Sequence, residues 1–167
     1  MIAKTFEIYL NRFSQPDKRI KTVAKKNTGI IVVIPCHNEP DLIKSLQSLN
    51  NCQATDCHVD VITVINASEN STKEIIEQNI KTLQESMLWV KENKKDFIDF
   101  YFIEENRLPK KHAGVGLARK IGMDEAVKRF MEINNNGIIA CYDADCTCSE
   151  NYFIELYESY QKNKWNG

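Results

Sequence analysis

Residues 30–40 read IIVVIPCHNEP, and this stretch opens with the five β-branched side chains of Ile30–Ile34. A continuous β-branched run is typical of a strand that is covered on both faces, as in a parallel sheet. The polar turn that follows leads into an amphipathic helix, whose apolar stripe consists of Leu42, Ile43, Leu46 and Leu49. The stretch therefore predicts one strand–turn–helix unit, with Pro40 in the first turn of the helix.

Three further apolar stretches continue this order along the chain. They predict strands at 59–65, 97–103 and 137–142, and a helical pattern follows each of them. Ser71 and Glu74 have the spacing of a capping box at the start of the helix after the 59–65 strand. The connections are long enough for helical crossovers. The order therefore predicts an α/β fold, an open, mostly parallel, doubly wound (Rossmann-like) sheet with helices on both faces.

We expect residues 1–28 to form a helical and basic extension in front of a single domain from residue 29 to residue 167. The extension begins with a helix that Pro16 ends, and one apolar face of this helix carries Ile2, Phe6, Tyr9 or Leu10, and Phe13. The basic residues that follow lack interleaved aromatic side chains, which favours a solvated surface over a binding patch. These residues are Lys18, Arg19, Lys21, Lys25 and Lys26.

The overall composition argues against several kinds of partner. The chain has 22 basic and 23 acidic residues, so no net field attracts nucleic acid or an anionic membrane. No apolar run approaches the roughly 20 residues of a membrane span, and the N-terminus lacks the apolar core of a signal peptide. We expect a cytoplasmic protein that binds no nucleic acid and contacts a membrane at most peripherally. Six cysteines without CxxC spacing predict reduced thiols.

Two carboxylates, Asp143 and Asp145, directly follow the predicted strand at 137–142. Buried carboxylates are costly unless something pairs with them, and Mg²⁺ is commonly held by one or two carboxylates plus substrate phosphates. A D-x-D motif alone is a weak signal, because acidic residues are common. Its position at a strand exit predicts a Mn²⁺ or Mg²⁺ site at these two residues. In the alternative, Asp143 binds ribose hydroxyls and Asp145 alone holds the metal.

The carboxyl ends of the predicted strands carry polar segments that are compatible with a nucleotide. In doubly wound sheets, ligands bind in the crevice outside these ends. The segments are PCHNE, INASE, HAGVG and DAD. His37 offers an imidazole suited to a base or a ribose, whereas Asn38 and Glu39 could instead cap the next helix. His58, just before the second strand, is interpreted as a surface residue.

Gly114 and Gly116 lie at the start of the helix after the 97–103 strand, where backbone N–H groups and the helix dipole attract an anion. Arg119 shares the apolar face of this helix, and an arginine in an apolar stripe needs an anionic partner. Helical side chains lean toward the N-terminus, so we expect Arg119 to lean toward the crevice. Its partner is either Asp143 or a ligand phosphate.

Four segments, taken in order, resemble the N-terminal half of the family 2 glycosyltransferases of the GT-A fold. They are IIVVIPCHNEPDLIKSLQSL, VITVINASENST, HAGVGLARKIGMDEA and IIACYDADC. The HNE, GL-AR and D-x-D-C elements are also similar to those of the polypeptide N-acetylgalactosaminyltransferases, which are UDP-sugar enzymes. The resemblance extends from about Gly29 to the end of the chain.

The resemblance implies a site for a nucleotide-diphosphate sugar. It implies that the nucleotide base lies among Pro35, His37 and Glu39, and that Asn66 stands where many members place an aspartate on the uracil. Arg119 would then lie near the diphosphate. Asp143 and Asp145 would form the metal site. Together with the loop residue Ser68 and with Gly114, these are the predicted nucleotide-binding and metal-binding residues.

The function that the resemblance implies is transfer of a sugar from a nucleotide-diphosphate sugar, with a UDP-sugar favoured, to an unknown acceptor. The sequence ends about 20 residues after the D-x-D motif. We therefore expect this chain to be the donor-binding half, with the acceptor site and the catalytic base outside it. Two alternatives are a non-catalytic nucleotide-binding or regulatory module and a nucleotidylyltransferase. The latter class usually has a Gly-rich, basic loop after its first strand, and PCHNEP is not one.

Overall fold

The computed structural model describes residues 2–14, 17–111 and 113–163, so the predicted helix stop at Pro16 and the residue His112 lie outside the described residues. The strands in this part of the chain are β1 (Thr28–Cys36), β2 (His58–Ser68), β3 (Ile98–Leu108) and β4 (Ile138–Cys141). The helices are α1 (Ile2–Phe13), α2 (Leu42–Asn50), α3 (Lys73–Glu92), α4 (Val115–Glu132) and α5 (Tyr152–Asn163).

The strands form one parallel sheet in the order β3-β2-β1-β4. The predicted α/β fold with a parallel, doubly wound sheet is therefore confirmed. The chain passes from β1 outward to β2 and β3, and it then returns to place β4 on the other side of β1. This reversal is a topological switch point, and in doubly wound sheets ligands bind outside the carboxyl ends of the strands at such a point.

Helices cover both faces of the sheet, because the side chains of β1 alternate between two buried clusters. Ile30, Val32 and Ile34 pack in the cluster that includes side chains of α2, α3 and α5. Ile31 and Val33 pack in the other cluster, which includes side chains of α1 and α4. β1 is buried along its whole length, as its β-branched run predicts.

Helix α4 approaches the sheet closely at Gly122. A Cβ atom at this position would lie 2.4 Å from Cγ1 of Val33 and 3.2 Å from Cγ2 of Val64. Any larger residue would force the helix or the strands to shift, because the interior is close-packed. Gly122 therefore fixes the distance between β1 and the helix that carries Arg119.

β1, β2 and β3 are all longer than the sequence predicts, and the difference is largest at the carboxyl ends of β2 and β3. β2 continues through Asn66 to Ser68, and β3 continues beyond Ile103 to Leu108. The two strands pair with each other as far as the Ser68–Leu108 register. The predicted ends were wrong because a parallel ladder is made by backbone groups, and polar side chains at its carboxyl end do not interrupt it.

The predicted starts of α2 and α3 are also wrong. α2 has Asp41 at its N-cap, so Pro40 precedes the first turn instead of lying in it. α3 has Thr72 at its N-cap. The hydroxyl oxygen of Ser71 accepts the N–H of Ser68 at 3.0 Å, and this bond closes the turn before the helix instead of a capping box.

The N-terminal segment is held against the domain. The hydroxyl of Tyr9 in α1 donates to Oδ1 of Asp124 in α4 at 2.8 Å. Three of the five basic residues that follow are ion-paired, namely Lys18 with Glu132, Arg19 with Glu105 and Lys25 with Asp99. These pairs favour a packing role for the basic segment. Among the described residues, no helix combines the length and the apolar composition needed to cross a bilayer.

Candidate functional site

A cavity of about 300 Å³ opens at the carboxyl edge of the sheet. It is lined by His37, Asn66, Ser68, Ser71, Ala113, Gly114 and Val115. Four predicted nucleotide-binding residues, from the ends of β1 and β2 and the start of α4, thus come together in one wall. The volume lies at the lower end of the range for small-molecule sites, about 300–1,000 Å³.

The imidazole of His37 has a defined proton position. Its Nδ1 lies 2.8 Å from the carbonyl oxygen of Asn66. A carbonyl oxygen only accepts hydrogen bonds, so Nδ1 carries a proton in this contact. The bond joins the exits of β1 and β2 and leaves Nε2 for a ligand.

Asn66, which lines this cavity, has a buried side-chain oxygen without a partner in the described part of the chain. Asn66 is 1% exposed, and its Oδ1 has no hydrogen-bond partner among the described residues. A buried polar atom without a partner costs about 1–3 kcal/mol. An acceptor of this kind in a cavity wall is the feature that most directly indicates a bound molecule with an N–H or O–H group.

A fully buried amide that the sequence did not single out, Asn79 of α3, supports this wall. Its Oδ1 accepts the N–H of Asn38 at 2.9 Å. Its Nδ2 lies 3.0 Å from the carbonyl oxygen of Asn66 and 3.1 Å from Oδ1 of Asn106. One side chain therefore ties together the carboxyl ends of β1, β2 and β3. The only signal in the sequence was a polar residue within the apolar stripe of a predicted helix.

Two residues beside the cavity have positive φ angles, Asn38 at 51° and Gly114 at 147°. Asparagine tolerates the left-handed region better than most residues, and the bond from its N–H to Asn79 holds the turn after β1 in this conformation. At Gly114 a Cβ atom would meet nothing within 4 Å, so the backbone angle and not the space favours glycine there.

Gly114 is also the N-cap of α4, and it contributes no capping side chain. The first N–H groups of a helix have no partner within the helix, and together with the helix dipole they form a favourable site for an anion. These donors lie beside the cavity because Gly114 and Val115 line it. The arrangement is suited to a phosphate group.

Arg119 and Asp143 form an ion pair between α4 and the exit of β4, with Nη2 2.9 Å from Oδ1. The sequence left either Asp143 or a ligand phosphate as the partner of Arg119, and in the structure the partner is Asp143. The side chains are 34% and 60% exposed, so this pair contributes only about 0–1 kcal/mol to stability. Nε of Arg119 is buried and has no partner among the described residues.

The turn that carries Asp143 and Asp145 is fixed to α2 by one hydroxyl group. Oγ of Ser45 lies 2.6 Å from the carbonyl oxygens of both Ala144 and Cys146. Ala144 is buried, and the aspartates on either side of it are exposed. The turn therefore presents two carboxylates to solvent at the switch point.

These two carboxylates fit a hard divalent cation. Among the described residues, Asp145 accepts a single long contact, from Sγ of Cys146 at 3.7 Å. Most of its lone pairs are therefore free, which is the condition for binding Mn²⁺ or Mg²⁺ together with the phosphates of a ligand. Asp143 is shared with Arg119, so Asp145 is the more available ligand.

Pro35 and Glu39 lie next to the cavity, and neither lines it. Pro35 is buried in β1, paired with Val64 of β2. Oε1 of Glu39 accepts the N–H of Asp41 at 2.9 Å, at the entrance to α2. This bond resembles the capping role that the sequence left as an alternative for Glu39.

His58 is not a surface residue, because it is 2% exposed at the amino edge of the sheet. Its Nε2 lies 3.5 Å from Oδ1 of Asp60 and 3.1 Å from Oδ2 of Asp99. These three residues are the one group of three or more metal-ligand types within mutual reach in the described part of the chain. Arg129 donates twice to Asp60, and Lys25 pairs with Asp99. The cluster is therefore charge-balanced without a metal.

The comparison with protein families gives one clear match. The model of the family described as "Glycosyl transferase family 2" matches residues 31–165, which is most of the chain. The match contains all the predicted site residues. No protein of curated function matches the chain in sequence.

Solved structures with a similar fold include two crystal structures of TarS 1-349 from S. aureus. The first matches with a TM-score of 0.55 at 16% identity. The second, in complex with UDP, matches with a TM-score of 0.51 at 13% identity. Each match covers 82% of this chain and 33% of the TarS chain, so the chain spans about a third of the length of these structures. At this identity the likeness concerns the fold alone.

Proposed function

Because the chain belongs to glycosyl transferase family 2, we propose that it is the donor-binding half of a glycosyltransferase and binds a nucleotide-diphosphate sugar, with a UDP-sugar favoured. The observation that carries the proposal is Asn66, which lines a cavity of about 300 Å³ and whose buried Oδ1 has no hydrogen-bond partner among the described residues. UDP is bound in one of the TarS structures, which supports uridine as the first nucleoside to test.

The base and the ribose occupy the cavity. Oδ1 of Asn66 accepts an N–H from the edge of the base, as N3–H of uracil or N1–H of guanine would provide. Nε2 of His37 and the hydroxyl of Ser68 contact the base or the ribose. Pro35 lies in β1 beside the cavity, and Glu39 holds the turn after β1 at the entrance to α2.

The diphosphate lies toward α4. The free N–H groups that follow Gly114 bind one phosphate, and Arg119 binds the other through the donors that Asp143 does not use. Arg119 lies four residues after Val115 and therefore on the same side of the helix. The two anion-binding features of α4 are thus adjacent on one surface.

Asp145 would hold Mn²⁺ or Mg²⁺, and Asp143 would either complete the ligand set or bind the ribose hydroxyls. The cation would supply positive charge to a departing nucleoside diphosphate. Ser45 keeps the turn in place, because its hydroxyl contacts the carbonyl groups on both sides of Asp145.

Transfer of the sugar also needs an acceptor site and, in an inverting enzyme, a base. None of the residues argued above supplies these, so we propose transfer only for a longer chain that adds them. The acceptor is unknown. A longer chain that binds the donor and transfers nothing to any acceptor or to water would instead support a non-catalytic nucleotide-binding module.

Calorimetric titration of UDP, GDP and their sugars, with and without Mn²⁺, tests the proposal. We expect a nucleoside diphosphate to bind, and Asn66→Ala to weaken its binding at least tenfold. Asn70→Ala, on the exposed turn after β2, is the matched control and should bind like the unmodified chain. The absence of binding by every nucleoside diphosphate would refute the proposal.

A further inference from the structure

Two cysteines that are 96 positions apart in the sequence meet at the end of α2. Sγ of Cys52 lies 3.7 Å from Sγ of Cys148, which follows Asp145 by three residues. Cys52 is 3% exposed, and Cys148 is partly exposed. A disulfide has a bond length of about 2.05 Å, so the two sulfur atoms would have to approach by about 1.7 Å.

The backbone on both sides of this pair is held by hydrogen bonds. Sγ of Cys52 lies 3.5 Å from the carbonyl oxygen of Ser48 and 3.6 Å from that of Ser149, and its single S–H can donate to either of them. The N–H of Cys148 donates to Oγ of Ser48 at 3.3 Å. α2 and the segment 146–149 are therefore already docked against each other while both thiols are reduced, so little reorganisation is needed to join them.

We propose that Cys52 and Cys148 are a redox modification site, which a low-molecular-weight disulfide such as glutathione disulfide converts into an intramolecular disulfide. The reduced state that the sequence predicts is then one of two states of this pair. The bond links the end of α2 to the segment after the D-x-D motif. Bond formation requires no nucleotide, so the proposal is independent of the proposed function.

The two thiols have different parts in the exchange. Cys148 is the accessible thiol, so its thiolate attacks a sulfur of glutathione disulfide and releases one glutathione thiolate. The thiolate of Cys52 then attacks Sγ of Cys148 in the mixed disulfide and releases the second glutathione. Two protein thiols are oxidised, one glutathione disulfide is reduced to two thiols, and both protons pass to solvent or to the released thiolates.

The environment of Cys52 makes the second step, the attack on the mixed disulfide, slow. Burial, together with the neighbouring Cys148 sulfur, raises the pKa of the Cys52 thiol to about 12. A buried thiol of this kind forms little thiolate at neutral pH. We therefore expect the bridge to form slowly at pH 7 and faster at pH 8.5, with the mixed disulfide on Cys148 appearing first.

The test incubates the reduced chain with glutathione disulfide, blocks the remaining thiols with iodoacetamide and maps the unreduced peptides by mass spectrometry. We expect a peptide pair that links Cys52 to Cys148. The crosslink closes a loop of nearly 100 residues, so the melting temperature should rise by about 9–19 °C. Dithiothreitol should reverse both changes.

Cysteine variants show which two residues form the disulfide. Cys146→Ser lies in the same peptide as Cys148 and should keep both the linkage and the temperature shift, whereas Cys148→Ser and Cys52→Ala should lose both. If Cys52→Ala does not fold, the peptide maps of the unmodified chain and of Cys148→Ser still show whether the disulfide joins Cys52 to Cys148. A bridge to any other cysteine, mixed disulfides alone, or no oxidation at pH 8.5 would overturn the proposal.

Discussion

The side-chain nitrogen Nδ2 of Asn79 lies 3.0 Å from the carbonyl oxygen of Asn66. The same oxygen accepts a hydrogen bond from His37 at 2.8 Å. A single carbonyl group thus receives one donor from the helix behind the cavity and one from the turn beside it. The wall that presents Oδ1 of Asn66 is therefore positioned by a residue that does not line the cavity.

Asn79→Ala should lower both stability and nucleotide affinity. The change leaves the N–H of Asn38 and Oδ1 of Asn106 without their partner. We expect the free energy of unfolding in urea to fall by about 2–3 kcal/mol, and the affinity of the folded protein for UDP to fall at least tenfold. Gln84→Ala, on the exposed side of the same helix, is the control and should change stability by less than about 0.5 kcal/mol. Unchanged stability in Asn79→Ala would contradict the role given to this amide.

Gly122→Ala and Gly116→Ala should have opposite effects on stability. The new methyl group at 122 would lie 2.4 Å from Val33, whereas at 116 it would meet nothing within 4 Å. We expect a loss of about 1–3 kcal/mol at 122 from overpacking, and a gain of up to about 1 kcal/mol at 116 from helix propensity. Thermal unfolding of both variants measures this. The double change Gly122→Ala with Val33→Ala should destabilise by less than the sum of the two single changes, because the clash is removed, and equal effects of the two glycine changes would contradict the close approach of α4.

His58 should make the protein less stable in mild acid. Burial and the nearby Lys25 lower its pKa below the usual 6.5, and they outweigh Asp60 and Asp99, which act to raise it. Between the folded pKa and pH 6.5, the unfolded chain therefore binds a proton at His58 that the folded chain does not bind. The stability is fully present above pH 6.5 and is lost as the pH falls from 6.5 toward the folded pKa, by at most about 1.4 kcal/mol per pH unit.

Urea unfolding at pH 7.5, 6.5 and 5.5 measures this dependence. His58→Gln removes the titrating group and keeps a polar side chain of similar size, so its stability should change less between pH 6.5 and 5.5. Parallel curves for the variant and the unmodified chain would show that His58 is protonated equally in the folded and unfolded states, contrary to the prediction.

Arg119→Ala should weaken UDP binding and leave the stability of the protein nearly unchanged. Its pair with Asp143 is exposed, so the free energy of unfolding should change by less than about 1 kcal/mol. The affinity for UDP should fall at least tenfold, because the diphosphate loses a charged donor. Calorimetry and urea unfolding on the same preparation give both values. Lys4→Ala, on the exposed surface of α1, is the charge-matched control, and a variant that binds UDP as tightly as this control would remove Arg119 from the site.

The sequence was sufficient to predict the parallel sheet, because the β-branched run of β1 and the spacing of the crossovers depend only on local pattern. It also predicted that His37, Asn66 and Gly114 would meet, since the carboxyl ends of parallel strands share one edge. The carboxyl ends of β2 and β3 were missed. They are fixed by pairing between the strands, which no single stretch of sequence encodes.

The roles that the sequence did not predict depend on residues that are neighbours only in the folded protein. Asn79 resembles an interruption of an apolar stripe until its partners on three strands are known. His58 was interpreted as a surface residue because its burial comes from Asp60, Asp99 and the packing of the basic segment around them. The meeting of Cys52 and Cys148 likewise follows from the docking of two segments that are far apart in the chain.

The most direct test of the central claim is the calorimetric titration of UDP into the chain at pH 7.5, with and without Mn²⁺, for the unmodified protein and for Asp145→Asn. Asp56→Asn, in an exposed loop away from the crevice, is the matched control. We predict that Mn²⁺ increases the affinity for UDP at least tenfold in the unmodified chain and in Asp56→Asn, and that Asp145→Asn loses this increase. If Asp145→Asn binds UDP with the full Mn²⁺ effect, or if the unmodified chain binds no UDP, a metal–diphosphate site at the end of β4 is contradicted.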